Sequence, residues 1–511
     1  MIRLAVIGMT LALGGCASLP PHPERPVTTA MLDTAQTRLG RAAAPETAAH
    51  PGLSGFHPVS DGADAFLARV AVARAAERTL DLQYYIFHAD RTGGALLGEL
   101  LAAADRGVRV RLLVDDLHAG KHDDALAAFD AHPNIEVRLF NPFANRAARW
   151  LDFVADFGRV NRRMHNKSMT ADSQVSVVGG RNVGDEYFAA TTAVEFGDFD
   201  VIAVGPVVRE VSAEFDRYWN SAEVYPISAF ARPGPAALPA LRERIVQHHE
   251  ALRGTPYALA LVSGDLAHQL GEKKLTLYWG GATVVADDPS KVRLPVDDRS
   301  THAGPKLKAA LGGAQRELLL VSPYFVPGEE GVAWLREIAA RGVRVRVLTN
   351  SYLSNDVGAV HAGYAAYRDD LLRAGVELQE LKPGAGAELE REGKLRHTGS
   401  SGSALHAKTY MADARTLFVG SFNLDPRSAR LNTEMGIVIQ SETLCAAIRA
   451  RFLSRLAEVA YRVELNRETG ALSWVTRENG REVRYGSEPG MGPLGRLKQG
   501  LWRLLPIEEQ L

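Results

Sequence analysis

Residues 106–111 read Arg-Gly-Val-Arg-Val-Arg, and residues 341–346 repeat the same six letters. In each copy a glycine ends a helical pattern and an alternating Val-x-Val begins a strand. Working outward, IEVRLFNP from Ile135 aligns with VELQELKP from Val376, 241 residues further on. Self-similarity at a fixed offset marks a duplicated unit. Around the first copy a helical stretch (ADAFLARVAVARAAE), a strand from Thr79, a helix from Gly94 and a strand from Val108 follow one another. Strands separated by helices of this length define an α/β fold. The halves are expected over 55–230 and 300–465, joined by a Pro-rich linker or insertion at 231–299 and followed by a C-terminal extension at 466–511.

The same 241-residue offset relates two short motifs. His165-Asn166-Lys167-Ser168-Met169-Thr170-Ala171-Asp172 and His406-Ala407-Lys408-Thr409-Tyr410-Met411-Ala412-Asp413 both fit H-x-K-x-x-x-x-D. Asn182 and Asn423 follow at equal distance from their histidines, after the turns Gly179-Gly180-Arg181 and Gly420-Ser421-Phe422. Side chains at i and i+2 of a strand share a face, so each His is expected beside its Lys. Each half carries only one copy, so the halves must meet to build one site. Two imidazoles, two ammonium groups and two amides suit a phosphodiester: Lys167, Lys408, Asn182 and Asn423 hold its oxygens, and His165 and His406 handle covalent and proton chemistry. Asp172 and Asp413 complete the motifs but fall an odd number of residues after their Lys. They are expected to act as supports rather than to face the phosphate.

Composition narrows the function. The 511 residues carry 59 basic and 60 acidic side chains, a net charge of −1. Gripping a nucleic-acid backbone usually demands a basic excess, so no nucleic-acid partner is expected. Two cysteines permit no disulfide framework and no cysteine metal site. Cys445 reads as a small buried hydrophobe. Cys16 closes a start with one basic residue, an apolar run and Leu13-Gly14-Gly15, the pattern of a secretory signal over 1–15. Leu-Gly-Gly-Cys resembles a bacterial lipobox, which implies lipidation at Cys16, a Pro/Ala-rich tether over 16–54, and a place in the bacterial cell envelope, on the periplasmic side of the outer membrane or, as the alternative, at the inner membrane. His248-His249 offers no metal-ligand spacing and is expected to face solvent. Arg146, Arg149, Trp150, Phe153, Phe157, Arg159, Arg162 and Arg163 fit either a rim for anionic headgroups or an ordinary packed helix. Leu494, Leu497, Leu501, Leu504 and Leu505, with Trp502, form a helical stripe suited to a membrane interface or to the protein's own core.

The paired motifs, with their GGRN and GSFN segments, resemble the phospholipase D superfamily over nearly all the chain after the tether. The segments MHNKSMTADSQVSVVGGRNVGDEYF and LHAKTYMADARTLFVGSFNLDPRSARLNTEMG are similar to the C-type bacterial cardiolipin synthases. The resemblance implies two tandem α-β-α sandwich domains related by a pseudo-twofold axis, with the active site between them. It counts His165, Lys167, Asp172, His406, Lys408 and Asp413 as the catalytic set, with His165 as nucleophile and His406 as acid and base. The phosphohistidine chemistry it implies calls for no cofactor and no metal. Glu434 matches a carboxylate that steadies a histidine, and Asp200 is the expected counterpart in the first half. The reaction implied is phosphatidyl transfer between phospholipids at a membrane surface, with headgroup hydrolysis as the alternative. A nuclease, or a lipid-binding envelope protein with a retired site, fits the residues less well.

Overall fold

The computed structural model describes residues 18–21, 25–119, 122–191, 194–384, 402–504 and 508–510. Cys16, the signal segment and Leu505 lie outside the described residues. In chain order the strands are β1 Ser54–Val59, β2 Thr79–Tyr84, β3 Arg109–Asp115, β4 Ile135–Phe140, β5 Ser168–Ala171, β6 Val175–Gly179, β7 Val194–Gly197, β8 Asp200–Val204, β9 Val224–Pro226 and β10 Tyr278–Ala286. The second half supplies β11 Glu317–Val321, β12 Arg344–Asn350, β13 Glu377–Leu381, β14 Gly402–Leu405, β15 Lys408–Ala412, β16 Thr416–Gly420, β17 Met435–Gln440, β18 Ala460–Leu465, β19 Leu472–Glu478 and β20 Arg481–Tyr485.

The two halves repeat one topology. β2, β3 and β4 run parallel, and the antiparallel hairpin β5–β6 attaches to the outer side of β2. β11, β12, β13, β15 and β16 do the same in the second half. The repeated hexapeptide sits where the sequence places it. Gly107 and Gly342 adopt φ of +92° and +85° just after the helices Arg91–Asp105 and Gly328–Ala340, the left-handed position that stops a helix without a Cβ penalty. The following Val108, Val110, Val343 and Val345 are buried.

Helices cover both faces of the sheet. Arg91–Asp105 and Gly62–Ala75 close one face of the first half around Leu80, Leu82, Leu100 and Val110. The opposite face meets the second half. There Phe56, Val178 and Val201 pack in one core with Val419, Ile437 and Ile439, and the helices Val207–Trp219 and Glu442–Val459 share it. Cys445 lies in this core, fully buried, and desolvation pushes its thiol up to about 12.

The 231–299 segment does more than link. Its helix Ala237–Leu252 lies on Arg91–Asp105, where Gly94 and Gly98 leave space for the rings of His248 and His249. His248 is therefore half-buried, against expectation, while His249 stays exposed. β10 then pairs with β1 at Tyr278–Gly280 and with β17 at Gly281–Ala286, so one strand welds the two sheets. Residues 25–37, read as part of a tether, are held on the first half. Trp219 Nε1 donates to Thr28 Oγ1 at 2.9 Å, Arg111 donates to Thr28 O at 2.9 Å, and Ala30 N donates to Asp216 at 2.7 Å.

Asp172 and Asp413 sit at φ of +51° and +55° in the hairpin turns. Asp172 accepts from the backbone N–H of Glu77, Arg78 and Thr79, and Asp413 from those of Gln315, Arg316 and Glu317, all within 3.0 Å for the best oxygen. Each clamps the entry of its parallel core strand to the motif hairpin, so neither is a catalytic group: counting them in the catalytic set is corrected by this geometry. Asp172→Ala strands three donors in a buried turn and should cost about 3 kcal/mol, read as a lower urea midpoint, with a smaller loss for Asp413→Ala at its half-buried turn. Unchanged midpoints in both variants would contradict this role.

Candidate active site

Both histidines stand just outside their strands. Each lies between a short pairing to the opposite half and the hairpin that follows. β14 runs parallel to β7 across the interface, ending at Leu405 opposite Gly197. Met164 bridges Thr433 in the same parallel sense. Then His406 N donates to Gly197 O at 2.8 Å, and His165 N donates to Thr433 O at 2.8 Å. The residue after each acceptor is a carboxylate. His165 Nδ1 lies 2.8 Å from Glu434 Oε2, and His406 Nδ1 lies 2.6 Å from Asp198 Oδ2. Each imidazole is thus oriented by the other half of the chain.

Asp198, not Asp200, is the first-half counterpart of Glu434. Asp200 opens β8, in register with Val59 and Gly179, and its buried side chain ion-pairs with Arg69 at 3.0 Å and Arg181 at 3.5 Å. It is shared between those two buried arginines, and the carboxylate on His406 is Asp198. Sequence reasoning missed Asp198 because two acids flank one phenylalanine in Gly-Asp-Phe-Asp. The Gly179-Gly180 pair was a usable signal: a Cβ at Gly180 would lie 2.1 Å from Asp198 Oδ1, and one at Gly179 2.0 Å from Asp200 Oδ1.

The remaining motif residues converge. Tyr85 lies edge-on to His165 with centroids 5.0 Å apart, and Lys167 Nζ sits 5.5 Å over the same ring. His and Lys therefore share a face, as the two-residue spacing requires. Tyr187 lies edge-on to His406 at 5.3 Å. Lys167 Nζ donates to His165 O at 2.5 Å, and Lys408 Nζ donates to His406 O. Asn182 Oδ1 accepts from Ile86 N at 3.1 Å, which ties it to the exit of β2, while Asn423 Oδ1 is buried with no hydrogen-bond partner among the described residues. On the second-half side, Glu434 also accepts from Ser421 Oγ at 2.5 Å and Ser428 Oγ at 2.8 Å.

The electrostatics join the two motifs into one site. Burial lowers His165 to about 4; Glu434 opposes the shift and both Lys167 and Lys408 deepen it. Burial lowers His406 to about 3, with Lys408 and Lys167 adding and Asp198 opposing. Lys408 falls to about 8, and Lys167 well below its ordinary value, both through desolvation. Burial works to raise Asp198 and Glu434, but the imidazoles and lysines outweigh it and hold both carboxylates low. At neutral pH each neutral imidazole donates Nδ1–H to an ionised carboxylate, which turns Nε2 toward the reacting centre. Of the two readings of the arginines before His165, the packed one holds for four of them. Arg146 and Arg149 are tied to Asp116, Arg159 to Asp156, and Arg163 is buried on Asp115 at 2.9 Å.

A duplicated parallel-core sheet with paired His-Lys motifs at its interface defines the phospholipase D class. Residues 70–219 and 307–456 each match the family described as "Cardiolipin synthase, PLD-like domain", and the chain belongs to that family. It is 43% identical over 474 residues to cardiolipin synthase C of Escherichia coli, covering 92% of this chain and 99% of that one. An uncharacterised protein of Helicobacter pylori is 30% identical over 445 residues, covering 85% and 86%. Among solved structures, phosphatidylserine synthase of Haemophilus influenzae superposes with a TM-score of 0.59 at 13% identity, over 93% of this chain and all of the other. At that identity the likeness shows the shared fold.

Each imidazole titrates lower in the folded protein than the ordinary 6.5, so the unfolded chain binds protons first as pH falls. Their contribution to stability is full above 6.5 and is lost as pH falls toward 4. Thermal melts should therefore show a drop in Tm between pH 7 and 4.5 that His406→Gln blunts. An identical slope in the variant would contradict the buried, neutral imidazole.

Proposed function

We propose that the chain is a phosphatidyltransferase that makes cardiolipin from phosphatidylglycerol and a second phospholipid through a phosphohistidine. The observation that carries the reading is the crossed pair of carboxylate-held imidazoles flanked by two buried lysines, in a chain 43% identical to a cardiolipin synthase along nearly its whole length. His165 Nε2 attacks the phosphorus of the donor lipid. The bond from phosphorus to the leaving alcohol oxygen breaks, and His406 Nε2 gives that oxygen its proton. The hydroxyl of the acceptor lipid then returns a proton to His406 and attacks phosphorus, and the P–N bond breaks to free His165. Lys167, Lys408, Asn182 and Asn423 hold the phosphoryl oxygens through both steps.

Charge balance supplies the acid. Two lysines stand against two carboxylates, and burial holds both imidazoles below their ordinary pKa. A phosphodiester monoanion beside them raises the pKa of an imidazole, so substrate binding draws a proton onto His406. Calorimetry at pH 7 in buffers of different ionisation enthalpy should show uptake of about one proton per lipid headgroup analogue bound. Binding without proton uptake would contradict the assignment of His406 as the acid.

Transfer rather than hydrolysis rests on the similarity to a synthase. Purified protein given phosphatidylglycerol and phosphatidylethanolamine vesicles should form cardiolipin. Release of phosphatidic acid alone, with lipid alcohols abundant, would establish the hydrolase instead. No helix among the described residues is long and apolar enough to cross a membrane. Lipidation at Cys16, in the envelope and facing the periplasm from the outer membrane, is the proposed attachment. Cys16→Ser should abolish metabolic labelling with palmitate, and undiminished labelling would refute it.

A further inference from the structure

Large apolar side chains are exposed in two clusters, one following β4 of the first-half sheet and one in the second half and the extension after it. The first comprises Trp150 (66% exposed), Phe153, Val154 (78%) and Phe157. It follows Arg146 and Arg149, which bind Asp116 in the loop after β3. The same loop carries His118, edge-on to Tyr85 at 5.0 Å, and Tyr85 in turn lies on His165.

The second cluster is built from the loop after β12, the pseudo-symmetric position, and from the helix Pro493–Leu504. Leu353 and Val357 flank Asp356, whose carboxylate accepts from Tyr324 Oη at 2.9 Å and whose charge bears on Lys408. The helix packs inward through Gly495, where a Cβ would lie 2.7 Å from the Tyr352 hydroxyl. That contact leaves Leu494 (75% exposed), Leu497 and Leu501 facing out, while Trp502, on the same face as Gly495, stays half-exposed with its Nε1 4.0 Å from where a Cβ on Gly358 would lie. The chain end ties the clusters together: Gln510 accepts from Asn161 Nδ2 at 2.6 Å and from Arg427 Nε at 3.0 Å, and Asn161 ends the turn that begins at Phe157.

We propose that these two clusters form one docking face that seats the mouth of the site on a phospholipid bilayer with anionic headgroups. Charge selects this occupant. Residues 493–504 carry Arg496, Lys498 and Arg503 and no acidic residue, in a chain whose net charge is −1. An apolar stripe edged by cations and tipped by tryptophan lies in a headgroup boundary with its leucines in the acyl region. Position selects it as well. The first cluster precedes His165 in the chain and the second surrounds Asp356, whose charge bears on Lys408, so a bilayer against them would present its headgroups to the lysines. A lipid would then reach the site without leaving the membrane. The inference rests on the phosphatidyl-transfer reading for its substrate, but vesicle binding can be measured without turnover.

The test uses the full chain carrying Cys16→Ser, so that no acyl anchor contributes, with vesicles of phosphatidylglycerol and phosphatidylethanolamine. Leu497→Glu/Leu501→Glu and Trp150→Ser/Phe157→Ser should each cut sedimentation with vesicles about tenfold, and turnover of vesicle lipid with it. Turnover of short-chain phosphatidylglycerol below its micellar threshold should stay within about twofold. Vesicle binding equal to the parent in both variants would overturn the proposal. So would a change from dimer to monomer in Leu497→Glu/Leu501→Glu with vesicle binding intact, which would make the face a contact between copies. A parent chain that binds vesicles but turns over neither lipid would sink the transferase reading and leave the docking face standing.

Discussion

The two buried imidazole–carboxylate pairs that cross the domain interface are the constraint on which this molecule is built. His165 depends on Glu434 and His406 on Asp198, and each pair is preceded by a backbone bond from the histidine N–H to the residue before its carboxylate. A single half would separate each histidine from the carboxylate that orients it, leaving a buried imidazole and a buried carboxylate without their mutual hydrogen bond, both costly in a low-dielectric interior. The duplication is therefore more than two copies of a fold. The sheets must meet in one register, and β10, hydrogen-bonded to both, fixes that register. Asp287 at its end reinforces this by accepting from Glu434 N at 2.7 Å.

The halves are not equivalent around this core. Glu434 is held by two serine hydroxyls, Ser421 and Ser428, whereas the first half places Gly180 where the second has Ser421. The shorter Asp198 takes its backbone support from Phe199 N at 2.7 Å. Asp425 adds a second difference, for the aligned first-half residue is Gly184. Asp425 is buried near Lys408, and desolvation pushes it up to about 7 despite the Ser428 N–H that it accepts. A symmetric reaction would need no such asymmetry. One imidazole forming a bond to phosphorus while the other moves protons calls for two different settings.

Much of this was legible in the sequence, because duplication preserves spacing. The hexapeptide, the motif pair and the trailing asparagines keep their offsets even where surrounding residues differ, and the α/β class follows from the alternation around them. What was not legible depends on contacts between distant residues. Asp198 and Asp200 are two apart and fall in the same phase of the strand pattern. Only the register of β8 against β1 and β6 decides that Asp200 goes to Arg69 and Asp198 to His406. β10 lies in the stretch read from its Pro-rich segments as a linker or insertion, and YWGGATVVA, with two glycines and no clean alternation, gives little strand signal of its own. The sheet edges on either side make it a strand. The arginines before His165 fitted either a headgroup rim or a packed helix, and only the fold shows that Asp115, Asp116 and Asp156 claim four of them.

The central claim is that His165 and His406 act on one phosphorus from opposite halves, the first by attack and the second by moving the proton. Mass spectrometry of the His406→Ala chain after exposure to phosphatidylglycerol tests this directly. The account predicts an acid-labile phosphatidyl adduct on His165, formed slowly without the acid but broken down more slowly still because the entering alcohol lacks its base, and none in the His165→Ala chain. An adduct on His406 in the His165→Ala chain, or no adduct in either, would contradict it.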